Sequence, residues 1–337
     1  MKKILIVDDQ KANIALLKAQ LKEFDVIEAD SGGAALKKIR EERPDLILLD
    51  AMMPGVDGFS VLSIVKNTEE TRLTPVIVIT ALNGDEERVK FLEKGADDYI
   101  TKPFSPQVLL ARINNLLQTK VLLTEQLGNF QELIGYLVNT MEARDRFRMK
   151  HSKRTAFYAE KLVQKCYPLK VIRSHVRMAA LLHDIGNICI QERIMLKPDR
   201  LDPDEFEIVK THPEAGERIC SYISTLKPVL PFIRHHHEHI DGSGYPDGLK
   251  GTDIPLGARI LAVADSFDAL TSDRPHRNAY SLEESLAILK EGAGTQWDQK
   301  IIKQFCEMIE TDQSVAEQQT LWYFEKRNMI KSGFNIE

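Results

Sequence analysis

Apolar and polar positions alternate in blocks over the first 118 residues. Short apolar runs at residues 4–7, 26–29, 46–49, 76–79 and 99–100 are separated by stretches with helical spacing, such as residues 14–21, 34–40 and 86–94. Strand and helix repeated five times predict a parallel sheet with helices on both faces. Continuous apolar strands suit a sheet that is buried on both sides. The pattern therefore predicts a doubly wound, five-stranded α/β domain over residues 1–118.

A heptad-type pattern follows over residues 119–141. The apolar positions recur there at spacings of four and three residues, at Leu123, Leu127, Phe130, Ile134, Leu137 and Met141. This stretch contains no proline, and it predicts a helical linker. The linker either packs within its own domain or forms a coiled coil with a second copy of the chain. We favour the coiled coil and therefore expect a homodimer.

The rest of the chain has a helical pattern. Residues 142–310 contain long amphipathic stretches and few alternating runs, so they predict an all-α second domain. Residues 311–337 include the aromatic segment 321–324, which predicts a terminal helix packed on that domain. The alternative for this tail is a segment that docks a partner protein.

Composition restricts the function classes. The chain has 45 basic and 50 acidic residues and a net charge of -5, which argues against binding to a nucleic-acid polymer. The four cysteines include no CxxC pair, so a cysteine zinc site is not expected and a reducing compartment is. No apolar run approaches the roughly 20 residues that cross a bilayer, and no signal-peptide core follows the N-terminus. We expect a cytoplasmic protein that does not bind membranes.

Polar side chains stand where the predicted strands end. Asp8 and Asp9 follow the first strand, Asp50 ends the third, Thr80 ends the fourth, and Lys102 follows the fifth. The carboxyl ends of parallel strands carry the functional site in this fold class. Such Asp residues are individually more typical of turns and helix caps. As a set they favour a Mg²⁺ site, because a hard cation offsets the repulsion between carboxylates.

Residues 1–118 closely resemble the response-regulator receiver family. The matching stretches are residues 6–9, 49–55, 57–58, 80–81 and 102–104. The resemblance implies that Asp50 accepts a phosphoryl group from a sensor histidine kinase or another phosphodonor. It further implies a Mg²⁺ site formed by Asp8, Asp9, Asp50 and the carbonyl of Met52. The implied switch residues, which contact the phosphoryl group or move with it, are Thr80, Tyr99 and Lys102.

Histidines are concentrated in the second half, and all nine lie beyond residue 150. Two divalent ions need several imidazole and carboxylate ligands. The candidates are His151, His183, Asp184, His212, His236, His237 and Asp265. His183-Asp184 and Asp265 each end an apolar run, and a buried polar group without a partner is costly, whereas a metal ion supplies one. Of the other histidines, His175 fits an ordinary structural role, and His235 and His239 stay undecided.

Residues 140–305 closely resemble the HD-GYP family of cyclic-dinucleotide phosphodiesterases. Three motifs carry the match: residues 181–186, residues 236–248 and residues 263–275. The resemblance implies an HD-type metal-dependent phosphohydrolase whose catalytic pair is His183 and Asp184, with Asp184 bridging two ions. Iron or manganese is expected at this site, with nickel or zinc as alternatives. The implied reaction is the hydrolysis of cyclic di-GMP to pGpG, to GMP or to both.

The substrate-contacting positions depart from the family in part. The residues predicted to contact substrate are Tyr245, Asp268, Arg274, Arg277 and Asn187. Asn187 stands where many members have Lys, and a neutral amide does not replace that charge. Phe147 stands where some members have a Glu that supports a third metal, so two ions are expected. For Arg274, a surface salt bridge to Asp273 is an equal alternative.

Three functions follow from these observations. The favoured one is a phosphorylation-regulated cyclic di-GMP phosphodiesterase. Asn187 motivates the second, a weakly active or inactive effector that binds a nucleotide or a protein partner. The third is hydrolysis of another cyclic dinucleotide, such as cyclic GMP-AMP.

Overall fold

The structure is a computed structural model. It describes residues 1–68, 70–81, 85–143, 150–167, 170–197, 199–274 and 277–315, together with Gln318 and Trp322. The chain forms two compact units, Met1–Phe130 and Gln131–Glu337.

The first unit is a five-stranded parallel sheet with helices on both faces. Its strands are β1 (Lys3–Val7), β2 (Asp25–Ala29), β3 (Leu46–Asp50), β4 (Val76–Thr80) and β5 (Asp98–Thr101). They lie in the order β2-β1-β3-β4-β5, and all neighbours are parallel. The helices between them are α1 (Lys11–Gln20), α2 (Gly32–Glu42), α3 (Gly58–Asn67) and α4 (Asp85–Glu93). The predicted doubly wound α/β class is confirmed.

The apolar strands supply both cores of this unit. Successive side chains of a strand point to opposite faces of the sheet. In β3, Ile47 and Leu49 therefore join the core on one face, while Leu46 and Leu48 join the core on the other. Every residue of β3 and β4 is buried. The central strands are therefore apolar at every position except the last. Their polar residues, Asp50 and Thr80, stand at the carboxyl ends of the strands.

One long helix, α5, spans Pro106–Glu142. At 1.5 Å per residue its 37 residues extend about 55 Å. The predicted linker lies within it, and the boundary between the compact units falls inside it, at Phe130. The first unit extends past the predicted end at residue 118. One reason is that Lys120 Nζ donates a hydrogen bond to the carbonyl of Asp45 at 2.9 Å, which joins this part of α5 to the sheet.

The described part of the second unit is helical, as predicted. Its α-helices are α6 (His151–Cys166), α7 (Lys170–Leu182), α8 (Glu192–Met195), α9 (Pro203–Val209), α10 (His212–Ser221), α11 (Leu230–Arg234), α12 (Leu256–Leu270), α13 (Leu282–Glu291) and α14 (Gln299–Thr311). Three short 3-10 helices cover Ile185–Cys189, Ser224–Val229 and Gly251–Asp253. The core of the unit centres on Tyr158, Phe267 and Phe305, whose rings pack edge to face.

The C-terminal tail is described only in part. Trp322 packs against the rings of Phe157 and Tyr158, with centroid distances of 5.2 and 5.8 Å. This contact agrees with the packed alternative for the tail, whereas Leu321, Tyr323 and Phe324 lie outside the described residues. Among the described residues, no helix combines the length and the apolar character needed to span a membrane.

Candidate functional site

The first site lies at the carboxyl ends of the sheet strands. Lys102 Nζ donates to Asp8 Oδ2 at 2.9 Å and to Asp50 Oδ1 at 3.0 Å. The backbone N–H of Met52 donates to Asp50 Oδ2 at 3.1 Å. Asp8 and Asp50 are buried, whereas Asp9 is exposed. The geometry brings together a candidate phosphoryl acceptor, a cation and carboxylate oxygens of the kind that Mg²⁺ prefers.

The charges in this site affect one another. Burial raises the pKa of Asp50, and the neighbouring Lys102 opposes that rise. Burial also acts to lower the pKa of Lys102, but Asp8 and Asp50 outweigh it and raise that pKa, so the ammonium stays charged. The predicted switch residues Thr80 and Tyr99 are both buried. Lys102, Asp8 and Asp50 lie together, and the roles of all these residues in phosphorylation stay predictions.

The second site gathers the predicted metal ligands from five segments of the helical unit. They are His151 at the start of α6, His183-Asp184 after α7, His212 at the start of α10, His236-His237 after α11, and Asp265 on α12. His151, His183 and Asp265 form one cluster, called here the first ligand group. His212, His236 and His237 form another, the second ligand group.

The carboxylate of Asp184 lies between the two ligand groups. Its Oδ2 is 3.6 Å from Nε2 of both His151 and His183. Its Oδ1 is 3.6 Å from Nε2 of His212. Asp265 Oδ1 completes the first ligand group, at 3.1 Å from His151 Nε2. Asp184 thus directs one oxygen toward each group, as a carboxylate that bridges two ions would.

The donor atoms fit metal ions. His183 Nε2 is buried and has no hydrogen-bond partner among the described residues, and a metal ion would satisfy it. In three of the histidines Nδ1 donates to a backbone carbonyl, so that Nε2 carries the lone pair. The pairs are His183 with Ala180, His212 with Val209 and His236 with Ile233, at 2.8, 2.8 and 2.6 Å. A set of imidazoles and carboxylates suits iron, manganese, nickel or zinc.

The electrostatics of the two ligand groups differ. Burial lowers the pKa of His151, but Asp265 and Asp268 outweigh it and raise that pKa to about 9. Burial and the neighbouring histidines lower the pKa of His237 to about 3, and that of His236 is also well below its usual value. The first ligand group therefore attracts positive charge, and the second offers neutral imidazoles. Both properties favour a bound cation.

Asp268 lies behind the metal ligands. Its Oδ2 is 2.7 Å from His151 Nδ1, and its Oδ1 accepts from Arg154 Nε at 2.6 Å. The side chain is only 1% exposed. Burial raises its pKa, but Arg154 and His151 outweigh this and lower it to about 2. One oxygen of Asp268 contacts His151 and both accept from Arg154. This gives Asp268 a role in orienting His151, and its predicted substrate contact stays a prediction.

Glu142 caps the helix that starts with a metal ligand. This last residue of α5 is buried, and its Oε2 and Oε1 accept from the backbone N–H of Lys150 and of Ser152, each at 2.7 Å. These two residues flank His151. A carboxylate also interacts favourably with the positive end of a helix dipole. Sequence reasoning missed this role, because nine residues separate Glu142 from His151.

Gly186 allows two ligand-bearing segments to approach closely. A Cβ atom at this position would lie 1.9 Å from the carbonyl oxygen of His212 and 2.7 Å from the N of Gly216. Only glycine fits such a contact without moving the backbone. The residue thus sets the distance between His183-Asp184 and the start of α10.

Asn187 lies beside Asp184. Its Nδ2 donates to Asp184 Oδ1 at 2.7 Å, and its Oδ1 is buried without a partner among the described residues. Asn187 therefore fixes the carboxylate of Asp184, and its own Oδ1 is left as an acceptor without a donor among the described residues. The amide faces a cleft with mainly apolar walls, which is lined by Met141, Glu142, His151, Ser152, Asp184, Asn187, Ile188, Ile190, Glu192, Met195 and Leu196.

A network of charges holds the loop that carries Tyr245. Glu238 is buried and accepts from the backbone N–H of Asp247 at 2.7 Å and of Leu249 at 3.1 Å. Arg234 donates to both oxygens of Asp247, at 2.7 and 2.8 Å. The ring of Tyr245 is thereby held against His237, with centroids 4.9 Å apart and ring planes at 27°.

The two arginines predicted to contact substrate make different hydrogen bonds. Arg277 donates to the carbonyls of Ala269, Leu270 and Asn278, so it joins the end of α12 to the following loop. Its predicted phosphate contact stays a prediction. Arg274 exchanges backbone hydrogen bonds with Arg277, and its substrate contact stays a prediction. Phe147, Pro275 and His276 lie outside the described residues.

Several site residues were missed at the level of sequence. Arg154 follows His151 by three residues, so it lies one helical turn from a ligand, and that i, i+3 spacing was an available signal for it. Asp268 was predicted as a substrate contact, and its contact with His151 was not predicted. Glu238 follows the His236-His237 pair directly, but nothing in the sequence shows which backbone groups its carboxylate would meet.

Comparison with known proteins identifies both units. Residues 4–114 match the model of the response regulator receiver domain, and residues 136–301 match that of the HD domain. A probable cyclic di-GMP phosphodiesterase of Vibrio cholerae is 35% identical, covering 90% of this chain and 76% of that protein. A cyclic di-GMP phosphodiesterase of Thermotoga maritima is 33% identical, covering 90% of each. The cyclic di-GMP phosphodiesterase response regulator RpfG of Xanthomonas campestris is 35% identical, covering 89% of this chain and 85% of its own.

The order of the matched regions agrees with the architecture, since the parallel sheet comes first and the helical unit with its two ligand groups second. The three relatives named above each extend over both units. The chain therefore belongs to the HD-GYP response regulators, in which a receiver domain precedes a metal-dependent phosphodiesterase domain.

Proposed function

We propose that this protein hydrolyses cyclic di-GMP to pGpG, to GMP or to both, under the control of phosphorylation at Asp50. The observation that carries the proposal is the position of Asp184, whose two oxygens face two separate groups of metal ligands. Two divalent transition-metal ions, iron or manganese by the donor set, would bind there. When bound, such a pair polarises the phosphate and activates water.

The residues of the chain have separate tasks in this reaction. His151, His183 and Asp265 would hold one ion, and His212, His236 and His237 would hold the other, with Asp184 between the two groups. Asp268 and the backbone carbonyls fix the orientation of the imidazoles. Tyr245 stands over His237, where a ring is placed to contact the nucleotide.

The receiver supplies the input. Asp50 would accept the phosphoryl group from a sensor histidine kinase, with Mg²⁺ held by Asp8, Asp9, Asp50 and the Met52 carbonyl. Lys102 already contacts Asp50 and Asp8, so it is placed to pair with the phosphoryl oxygens. Thr80 and Tyr99 would report the change to the rest of the domain.

A second copy of the chain is the partner proposed for α5. Leu123, Leu127 and Leu137, which belong to the heptad stripe, are 44, 44 and 49% exposed. Apolar residues repeated at this spacing are typical of a helix that pairs with another helix. Ile134 of the same stripe is buried within the chain, so the support for the homodimer comes from the three exposed leucines.

The test is an assay of the full chain loaded with Mn²⁺ or Fe²⁺. We expect linear dinucleotide or GMP to form from cyclic di-GMP, at a rate that changes when acetyl phosphate is added. Asp50→Asn should remove that change while leaving basal turnover intact. Cyclic GMP-AMP and cyclic di-AMP, assayed beside cyclic di-GMP, test the alternative substrates. Absence of cleavage in every phosphorylation state would overturn the proposal.

A weakly active effector is the second candidate, and one observation favours it. Asn187 donates to Asp184 and contributes no positive charge beside the metal ligands, where the family commonly has Lys. Loss of one stabilising donor or cation can lower a rate a hundredfold or more. Turnover of about 1 s⁻¹ or more, which is ordinary for enzymes, would exclude this candidate.

A further inference from the structure

Three side chains form a group beside the metal ligands. The ring of Tyr245, which stacks on His237, meets the ring of Phe206 edge to face, with centroids 6.4 Å apart and planes at 83°. Lys210 Nζ lies 5.1 Å from the centroid of Phe206 and 5.9 Å from that of Tyr245. Two aromatic rings and a cation thus lie together. The Tyr245 ring lies between the Phe206 ring and His237, a candidate metal ligand.

Packing does not explain this group. Phe206 is 44% exposed, and its helix α9 has no buried residue. The helix is instead fixed at its N-terminus, where Asp202 and Glu205 form a capping box and Pro203 follows. A large aromatic side chain is therefore held at the surface beside the metal ligands without contributing to a core.

The charge of Lys210 contributes little to the stability of the fold. Its ion pair is with Glu207, three residues earlier, at 2.6 Å. Glu207 is 68% exposed, and exposed pairs of this kind contribute little to stability. A phosphodiester anion would therefore replace this carboxylate as the partner of the ammonium at small cost.

The chemistry of the group matches one part of a cyclic dinucleotide. Aromatic faces stack on nucleobases whatever the base, and lysine binds phosphate as a point charge. A cyclic dinucleotide carries two phosphates, and only one is at the metal ions during cleavage. Asn187, which contacts Asp184, carries no charge. Lys210 supplies a positive charge near the second ligand group, because it lies beside Tyr245, which stacks on His237.

We propose that Phe206 and Lys210 form a substrate subsite, in which a nucleobase packs on the Phe206 ring and Lys210 pairs with the phosphate that is not cleaved. The inference rests on the proposed function, since it names where that substrate lies. Tyr245 forms the wall between this subsite and the second ligand group.

The variants are Phe206→Ala and Lys210→Met in the full chain. Tyr222→Ala and Lys290→Met are the matched controls, because these side chains are 86 and 57% exposed in the same unit. Two substrates are compared in the Mn²⁺-loaded protein: cyclic di-GMP, and bis(p-nitrophenyl) phosphate, which has neither a base nor a second phosphate. Binding of cyclic di-GMP to the EDTA-treated protein is measured by calorimetry.

Each variant should raise the KM for cyclic di-GMP at least tenfold and weaken its binding to the EDTA-treated protein equally. Turnover of bis(p-nitrophenyl) phosphate should stay within twofold, and both controls should match the wild type. The defect of Lys210→Met should shrink at high salt, which screens charge, while that of Phe206→Ala should persist. Equal losses on both substrates, or no change in KM and binding, would overturn the subsite.

The two proposals fail in different ways. Wild-type protein that cleaves bis(p-nitrophenyl) phosphate but not cyclic di-GMP contradicts the proposed function. In that case the subsite is tested by calorimetry alone. Phe206→Ala and Lys210→Met must each still weaken the binding of cyclic di-GMP to the EDTA-treated protein tenfold. Unchanged binding would reject the subsite.

Discussion

His151 Nδ1 lies 2.7 Å from Asp268 Oδ2, and this contact places a buried carboxylate directly behind a metal ligand. The second oxygen of Asp268 is held by Arg154 at 2.6 Å, so the carboxylate cannot turn away. A carboxylate in this position fixes the ring orientation of a histidine and raises its basicity toward a metal.

Asp268→Asn should weaken metal binding at this site about 10- to 100-fold, the range found for such supporting groups. Manganese affinity, measured by competition with a fluorescent chelator, and metal content after dialysis check this. Ser272→Ala is the control, because it removes only the 3.2 Å contact between Arg154 and the serine hydroxyl. Unchanged affinity in Asp268→Asn would show that His151 is oriented by other contacts.

Asn187→Lys should increase kcat on cyclic di-GMP by about tenfold or more, since a positioned cation beside a reacting phosphate is worth this much or more. The opposing effect is the loss of the 2.7 Å hydrogen bond from Asn187 to Asp184. Ile188→Lys is the control, because Ile188 is the next residue and its side chain is 51% exposed. Turnover measured by chromatography decides, and equal or lower activity would mean that the hydrogen bond matters more than the missing charge.

Glu238→Gln should lower the free energy of unfolding by about 1–3 kcal/mol, because a buried carboxylate that accepts two backbone N–H groups becomes a weaker acceptor with a donor of its own to satisfy. Urea unfolding of the two proteins measures the difference. Glu214→Gln serves for comparison, since that side chain is 51% exposed and meets Arg234 at 3.0 Å. The same change in both variants would argue against a special role for Glu238.

Acid should reduce the contribution of Asp247 to stability. Arg234, with help from His235, holds the pKa of Asp247 well below its usual range. A group with a lowered folded pKa stabilises the protein above its unfolded pKa, about 4, and loses that contribution as the pH falls toward the folded value. The Tm difference between wild type and Asp247→Asn should therefore be full above about pH 5 and shrink below about pH 4.

This pH experiment has a direct control in the same loop region. Asp253 is exposed, so Asp253→Asn should have only a small effect on Tm. A Tm difference for Asp247→Asn that stays constant from pH 6 to pH 3 would contradict the ionic role of Asp247.

The double substitution Leu123→Lys and Leu127→Lys should convert a dimer into a monomer, because charges on an apolar seam are not tolerated between paired helices. Light scattering coupled to gel filtration gives the mass in solution. Leu16→Lys is the control, since Leu16 is 58% exposed on α1, outside the heptad stripe. A wild-type monomer would reject the homodimer outright.

The sequence predicts the sheet well because its signals are local. Runs such as residues 46–49 are apolar at every position, and a strand buried on both faces requires this. The carboxyl-end rule then places Asp8, Asp50 and Lys102 together without further information. Most of the proposed metal ligands were named for a different reason, since His183, Asp184, His236, His237 and Asp265 belong to long ordered motifs.

The substrate-facing side was less predictable because its contacts depend on distant chain segments. Asp268 is one turn beyond Asp265 and was predicted as a substrate contact, and its carboxylate is held by Arg154, 114 residues earlier in the chain. Arg277 carries the charge that a phosphate needs, yet it donates to the backbone carbonyls of Ala269 and Leu270 at the end of α12 and of Asn278. Residue type alone does not distinguish a side chain that faces a ligand from one that satisfies the fold.

Glu142 ends α5, and its carboxylate accepts the N–H groups on both sides of His151. Since α5 begins at Pro106, one unbroken helix connects the receiver with the backbone of a metal ligand. If a shift of this helix changes metal affinity, thermodynamic linkage requires metal binding to change the phosphorylation equilibrium by the same factor. The iron or manganese supply of the cell would then be a second signal to this regulator, because metal binding would act through the same helix on the phosphorylation of the receiver.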